Sequence, residues 1–332
     1  MRSDRLSLAL SEGVVGLPSE GSLLVYRPRL GDDLSALPRE RVVVVTGFKP
    51  DAEAFAAQGY RVEMEAPEGP HAAAIVCLPR ARDLARAMLA DASARVVPGG
   101  LIVVDGQKTD GIESALKELR GRGTETSPAL SKAHGKLFTF AAGIELSDWA
   151  PRETEIEGGF ITRPGVFSAD AIDRGSKLLA AALPPKLHSR VADLGAGWGW
   201  LSAEILKRPG VEELHLIEAE AESLICAKRN ITDPRAQFHW ADVRNFKPAV
   251  PFGAVVCNPP FHTGRDADPS LGMAFLRAAA QMLTSSGTLW LVANRQLPYE
   301  PVLQQLFKEV EVIGGDSVFR LTRASRPMQA RP

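Results

Sequence analysis

The sequence predicts an α/β protein made of two tandem doubly wound sheets, and three observations carry that prediction. The chain has 332 residues, long for one hydrophobic core and ordinary for two. In each half, short apolar runs alternate with segments of helical periodicity, the pattern of strands joined by crossover helices. Between the halves, LSDWAPRETEIEG (Leu146–Gly158) is polar, charged and broken by Pro151. It reads as a linker, with Gly158 and Gly159 where the second unit starts. The expected domains are therefore 1–150 and 158–332.

In the C-terminal half, SRVADL (Ser189–Leu194), ELHLIE (Glu213–Glu218), QFHWAD (Gln237–Asp242), GAVVCN (Gly253–Asn258) and GTLWLVA (Gly287–Ala293) read as successive strands. Trp200–Lys207, Ala221–Asn230 and Ser270–Leu283 read as the helices between them. EVEVIGG and SVFRLTR close the chain as a hairpin turning on Gly314 and Gly315. The N-terminal half echoes this order. AAIVCLP (Ala73–Pro79) stands beside AVVCNPP (Ala254–Pro260), and RVVPGGLIVVDGQ from Arg95 beside QMLTSSGTLWLVANRQ from Gln281. RVVVVTGFKPD (Arg41–Asp51) holds the place of VADLGAGWGW, with one glycine against three. An internal duplication with one half disarmed is the economical reading. Two ordinary α/β domains sharing short apolar runs by chance is the alternative.

Composition narrows the function classes. Hydrophobic residues are 45% and charged residues 24%, as in soluble globular proteins. There is no apolar run of about 18 residues to span a membrane, and the N-terminus has no sustained apolar core. A mature cytoplasmic protein is expected. Cys77, Cys226 and Cys257 are odd in number and widely spaced, which fits reduced structural thiols rather than disulfides. His188, His215 and His239 lack ligand spacing, so no metal is expected. A net charge of −1 argues against a general grip on naked duplex but leaves room for RNA met through a local basic patch.

VADLGAGWGW runs from a strand through Gly195, Gly197 and Gly199 into a helix. Such a turn lets a nucleotide-type cofactor lie across the strand ends at the point where strand order reverses. Asp193 ends the first strand beside the turn. Glu218 ends the second, about twenty residues on, where an acid accepts bonds from both ribose hydroxyls. So far a nicotinamide cofactor and S-adenosylmethionine fit equally. Asp242 begins to separate them, because it ends the third strand where a carboxylate accepts the exocyclic amine of adenine. The plainer reading of Asp242 is a cap for the segment after it.

The fourth strand ends in Asn258-Pro259-Pro260-Phe261-His262. Two prolines make a rigid, extended exit. The Asn258 side-chain oxygen and the Pro259 carbonyl then become two fixed acceptors for both hydrogens of a planar NH2 group. An amino group on a base is a poor nucleophile, its lone pair being delocalised into the ring. Fixed acceptors draw the nitrogen toward tetrahedral geometry and aim the lone pair at a sulfonium methyl, so positioning is most of the catalysis. Phe261 offers a face for base stacking. NAD chemistry leaves this motif unused. Adenine N6 and a protein glutamine amide also present planar NH2 groups, and a non-catalytic RNA-binding or assembly factor would not need the motif intact.

With these residues in place, the chain resembles the bacterial rRNA guanine-N2 methyltransferases of the small-subunit methyltransferase C and large-subunit methyltransferase G type. The resemblance rests on GVFS (Gly165–Ser168) and the helix start at Asp173–Gly175, then DLGAGWGWLS, CNPPFHTG and LWLVANRQLPY. In the first half it rests on LIVVDGQKTDGIESALKEL and LSKAHGKLF. It implies two tandem class I methyltransferase-like, Rossmann-like sheets, the N-terminal one degenerate and serving RNA binding or support. It also implies S-adenosylmethionine as cofactor and ribosomal RNA or a ribosomal subunit as partner. By this resemblance Asp193, Gly195 and Gly197 flank the methionine part of the cofactor, Glu218 holds the ribose and Asp242 the adenine. Asn258 to Phe261 hold the acceptor guanine, with Asn258 bordering the cofactor as well.

Overall fold

The computed structural model describes residues 2–260 and 269–328. Phe261 and His262 lie outside the described residues. The chain forms two compact units, Met1–Glu153 and Thr154–Pro332.

The first unit contains seven strands: β1 (Leu23–Tyr26), β2 (Val42–Val45), β3 (Arg61–Glu63), β4 (His71–Cys77), β5 (Val96–Gln107), β6 (Leu130–Lys132) and β7 (Gly135–Ala141). Helices α1 (Arg2–Ser11), α2 (Lys49–Ala57), α3 (Arg82–Arg95) and α4 (Ile112–Gly121) accompany them. The second unit opens with a hairpin of β8 (Thr154–Ile156) and β9 (Phe160–Thr162). Then follow α5 (Arg174–Ala182), β10 (Arg190–Leu194), α6 (Trp200–Leu206), β11 (Glu213–Glu218), α7 (Ala221–Asn230) and β12 (Ala236–Trp240). The unit ends with β13 (Phe252–Cys257), α8 (Pro269–Met282), β14 (Leu283–Asn294), α9 (Glu300–Leu306), β15 (Phe307–Gly315) and β16 (Phe319–Pro327).

The two sheets run in the same order. The first is β3-β2-β1-β4-β5-β7-β6 and the second β12-β11-β10-β13-β14-β16-β15. In each, five strands are parallel and the last two form an antiparallel hairpin. Central parallel strands are covered on both faces, which is why β2 reads Val-Val-Val-Val with all four residues buried. In the first unit, alternate residues divide between two cores: Leu24 and Tyr26 face one, Leu23 and Val25 the other.

The shared order corrects one alignment. The strand in the place of β10 is β1, not the Arg41–Asp51 segment, which supplies β2 and so matches β11. Register makes the match residue by residue. Tyr26 pairs with Val45 as Leu194 pairs with Ile217. The next residues behave alike: the Arg27 N–H donates to Val45 O at 2.8 Å, and the Gly195 N–H to Ile217 O at 2.8 Å. Both have left-handed backbones, φ 48° at Arg27 and 72° at Gly195. By the same register Val25 stands where the second unit has Asp193, Thr46 where it has Glu218, and Cys77 where it has Asn258. The four-residue β1, followed by arginine rather than glycine, is a weaker strand signal than the valine run after it.

The linker is also shorter than its composition suggests. Leu146 and Trp149 are buried in the first unit, and the Arg122 and Arg86 guanidinium groups lie 4.7 and 5.7 Å from the Trp149 ring centroid. Gly158 and Gly159 form the turn of the β8–β9 hairpin rather than the start of the unit.

At the N-terminus, α1 places Arg5 inside the first unit. Its Nε and Nη2 donate to Asp105 Oδ1 at 2.9 and 2.6 Å, and Nη1 donates to Lys132 O at 3.0 Å. A buried pair of this kind adds little net stability over an apolar one, but losing either member strands the other charge. Gly135 makes room for it, since a Cβ there would sit 2.5 Å from the Arg5 guanidinium carbon.

Candidate functional site

The glycine turn joins β10 to α6, and its three glycines do different things. Gly195 takes the left-handed backbone that starts the turn. A Cβ at Gly197 would meet nothing within 4 Å, so this stretch of backbone is open to a ligand. A Cβ at Gly199 would press to 2.8 Å from the Ile231 side chain and 3.3 Å from Ala227, so this glycine lets α6 and α7 pack.

Trp198 turns away from the opening. Its Nε1–H donates to Phe167 O at 2.9 Å, and its ring lies 5.5 Å from the Phe160 ring. It is buried with Val166 and Cys226. The tryptophan in the turn therefore pins the Gly165–Ser168 segment beside it.

Glu218 ends β11 as expected and already grips the turn. Its Oε2 accepts the Gly197 N–H at 2.9 Å and its Oε1 the Glu220 N–H at 2.8 Å. Burial raises its carboxyl above the usual range, against the pull of these N–H groups. Asp193 is 1% exposed beneath the turn, and its Oδ2 accepts the Ser202 hydroxyl at 2.7 Å. Burial, with Glu218 nearby, pushes Asp193 up from 3.8 to about 7.

Asp242 follows β12 and is buried, but both of its oxygens are engaged. The Arg244 N–H reaches Oδ1 at 2.9 Å, and the Arg244 guanidinium reaches Oδ2 at 2.6 Å. Asp242 thus closes a turn on the N–H two residues on; no helix lies between β12 and β13, so it does not cap a helix.

Asn258 follows β13, beside the turn. Its Nδ2 donates to Asp173 Oδ2 at 2.8 Å and to Ser176 Oγ at 2.9 Å. Both amide hydrogens are thus committed, and Oδ1 is the acceptor end of the planar group. Pro259 is buried and Pro260 exposed. Asp193, Gly195, Gly197, Glu218 and Asn258 all sit at the carboxyl ends of β10, β11 and β13, which are neighbours in the sheet.

Asp173 and Ser176 are partners of Asn258 that the spacing of motifs does not give. The only local sign is that Asp173 caps α5, accepting the Ser176 N–H at 2.7 Å. Among the described residues no cluster of three or more metal-ligating side chains occurs. His215 and His239 bond to each other, Nδ1 to Nε2 at 2.9 Å, with parallel rings. No helix among the described residues is long and apolar enough to cross a membrane.

Comparison with known proteins bears on this geometry. The family model of the methyltransferase small domain matches residues 157–323. A ribosomal RNA small subunit methyltransferase C from Pseudomonas syringae pv. syringae is 32% identical over 329 residues, covering 93% of this chain and 96% of the relative. The protein of that name from Pseudomonas paraeruginosa is 31% identical over 283 residues, covering 80% and 83%. Among solved structures, a T. thermophilus 16S rRNA N2 methyltransferase in complex with AdoMet and guanosine has the same fold. The TM-score is 0.81 at 24% identity, covering 98% of this chain and 91% of that one. With an alignment of that identity covering 93% of its length, the chain belongs to the ribosomal RNA small subunit methyltransferase C family and is a methyltransferase.

Proposed function

We propose that this protein transfers the methyl group of S-adenosylmethionine to the exocyclic N2 amine of a guanine in ribosomal RNA. The observation that carries the reading is the anchored amide of Asn258, whose hydrogens are taken by Asp173 and Ser176 so that its oxygen serves as an acceptor. The relatives' names supply the rRNA, and the T. thermophilus structure, solved with AdoMet and guanosine, supplies the pairing of cofactor and base.

The cofactor supplies the activated methyl. Gly195 and Gly197 give the open turn, Glu218 takes the ribose, and Asp193 offers negative charge to the methionine end. Asp242 faces the adenine together with Arg244. Asn258 and the Pro259 carbonyl receive the amine, Pro260 holds the exit rigid, and Phe261 stacks on the base. The C-terminal unit is catalytic. The N-terminal unit binds no cofactor and serves RNA binding or support, because Val25, Arg27, Thr46 and Cys77 stand where the second unit has Asp193, Gly195, Glu218 and Asn258. A cytoplasmic location goes with that substrate.

Base-level mapping of methylation in total RNA tests this reading. One guanine should lose its N2 methyl in cells lacking the gene, regain it with the intact gene, and stay unmodified with an Asn258→Ala copy. If no RNA base changes, the RNA reading fails.

The raised carboxyl of Asp193 sets a pH dependence. In the empty protein it holds a proton up to about pH 7. The cationic groups of the cofactor favour its ionised form, so binding releases a proton and affinity rises with pH through that region. Calorimetry near pH 6.5 in buffers of different ionisation enthalpy should report proton release and one cofactor per chain. An identical binding heat in every buffer would contradict it. Stability runs the other way: between 3.8 and about 7 the folded protein binds a proton that the unfolded chain does not. Asp193 therefore makes the empty protein less stable as pH rises across that window.

A further inference from the structure

Neither Asp173 nor Ser176 belongs to the glycine turn or to the NPPF motif, yet both hold Asn258. A side-chain amide has two ends of nearly equal size and opposite character. Turned by 180° about its last bond, Asn258 would present N–H groups to an incoming amine, donor against donor. A carboxylate is acceptor-only, so Asp173 Oδ2, 2.8 Å from Nδ2, admits the amide N–H and disfavours Oδ1, while the Ser176 hydroxyl 2.9 Å away takes the second N–H without itself choosing between the two ends. The carboxylate is itself fixed. The same Oδ2 accepts the Ser176 N–H at 2.7 Å, which ties it to the first turn of α5. Gly175 leaves it room, since a Cβ there would stand 3.1 Å from Oδ2 and 3.2 Å from the Phe319 ring.

We propose that Asp173, assisted by Ser176, is a positioning residue that locks the Asn258 amide with its oxygen toward the acceptor amine. Its charge also polarises the amide: hydrogen bonds to a charged group are stronger and reinforce the next bond in a chain. Oδ1 of Asn258 is thereby a better acceptor than a free amide oxygen. This inference rests on the proposed acceptor site.

Two substitutions in the full-length protein separate orientation from helix capping. Asp173→Ser keeps a capping oxygen for the Ser176 N–H but is too short to reach Asn258. Asp173→Asn keeps an acceptor for both partners and loses the charge. For Asp173→Ser, kcat for rRNA methylation should fall about 100-fold, the cost of misplacing a reacting group. Its cofactor Kd from calorimetry and its melting temperature should stay close to those of the parent protein. Asp173→Asn should restore kcat to within about fivefold of the parent, the residue of a charged bond replaced by a neutral one. Parent-like kcat in Asp173→Ser, with Asn258→Ala inactive, overturns the positioning role while leaving the acceptor site intact. Equal loss in Asp173→Ser and Asp173→Asn also overturns it, as does a matching loss of cofactor affinity. An active Asn258→Ala protein instead sinks the acceptor site, and this proposal with it.

Discussion

Replacing Asn258 with alanine is expected to lower kcat for rRNA methylation by about 10²–10³-fold, the loss that follows removal of one preorganised polar group at a reacting centre. The amine to be methylated shares its lone pair with the base, and being neutral it can lose its proton after the transfer rather than before it. Reactivity therefore depends on how the two N–H bonds are held. With the side chain cut back, only the Pro259 carbonyl is left as an acceptor, and the lone pair loses its aim. The oxygen acts most strongly as the nitrogen becomes tetrahedral, so kcat and kcat/KM for RNA should fall together. Cofactor affinity should change far less, because the glycine turn and Glu218 are untouched. Steady-state transfer of labelled methyl to rRNA lacking the modification measures this. A kcat within a few-fold of the parent would remove Asn258 from the chemistry.

Replacing Glu218 with alanine should act on binding instead. The carboxylate accepts N–H groups from Gly197 and Glu220. In the proposed site it also takes the ribose hydroxyls. Its loss costs charge-assisted bonds to the ligand and frees the turn that shapes the site. At about 1.5–3 kcal/mol for each hydrogen bond to a charged group, the cofactor Kd should rise by about 10²-fold. Glu218→Gln, which keeps one acceptor, should fall between the two. Calorimetry reads both, and an unchanged Kd in Glu218→Ala would rule out the ribose role.

The sequence shows much of this because the features that carry it are local. The helix at Ala221–Asn230 and the ends of the strands at Leu194 and Glu218 follow from apolar periodicity and its interruption. The glycine turn and the double proline are backbone constraints written in residue type. The first unit is less legible, because β1 is only four residues long and its turn begins with Arg27 in a left-handed backbone usually given to glycine. The polar stretch after Leu146 looks like free linker until Trp149 is seen between two arginines. The engagement of Asp242 by Arg244 spans two residues and is readable in hindsight as a turn. The bond from Asp173 to Asn258 spans 85 residues and depends on how α5 lies against the sheet, which no spacing reveals.

The most direct test is a crystal structure of the protein with guanosine and S-adenosylhomocysteine. The geometry predicts the guanine amine within about 3.2 Å of both Asn258 Oδ1 and the Pro259 carbonyl, with Asn258 Nδ2 still bonded to Asp173. An amide turned over so that Nδ2 meets the base, or a guanine seated away from these two oxygens, would contradict it.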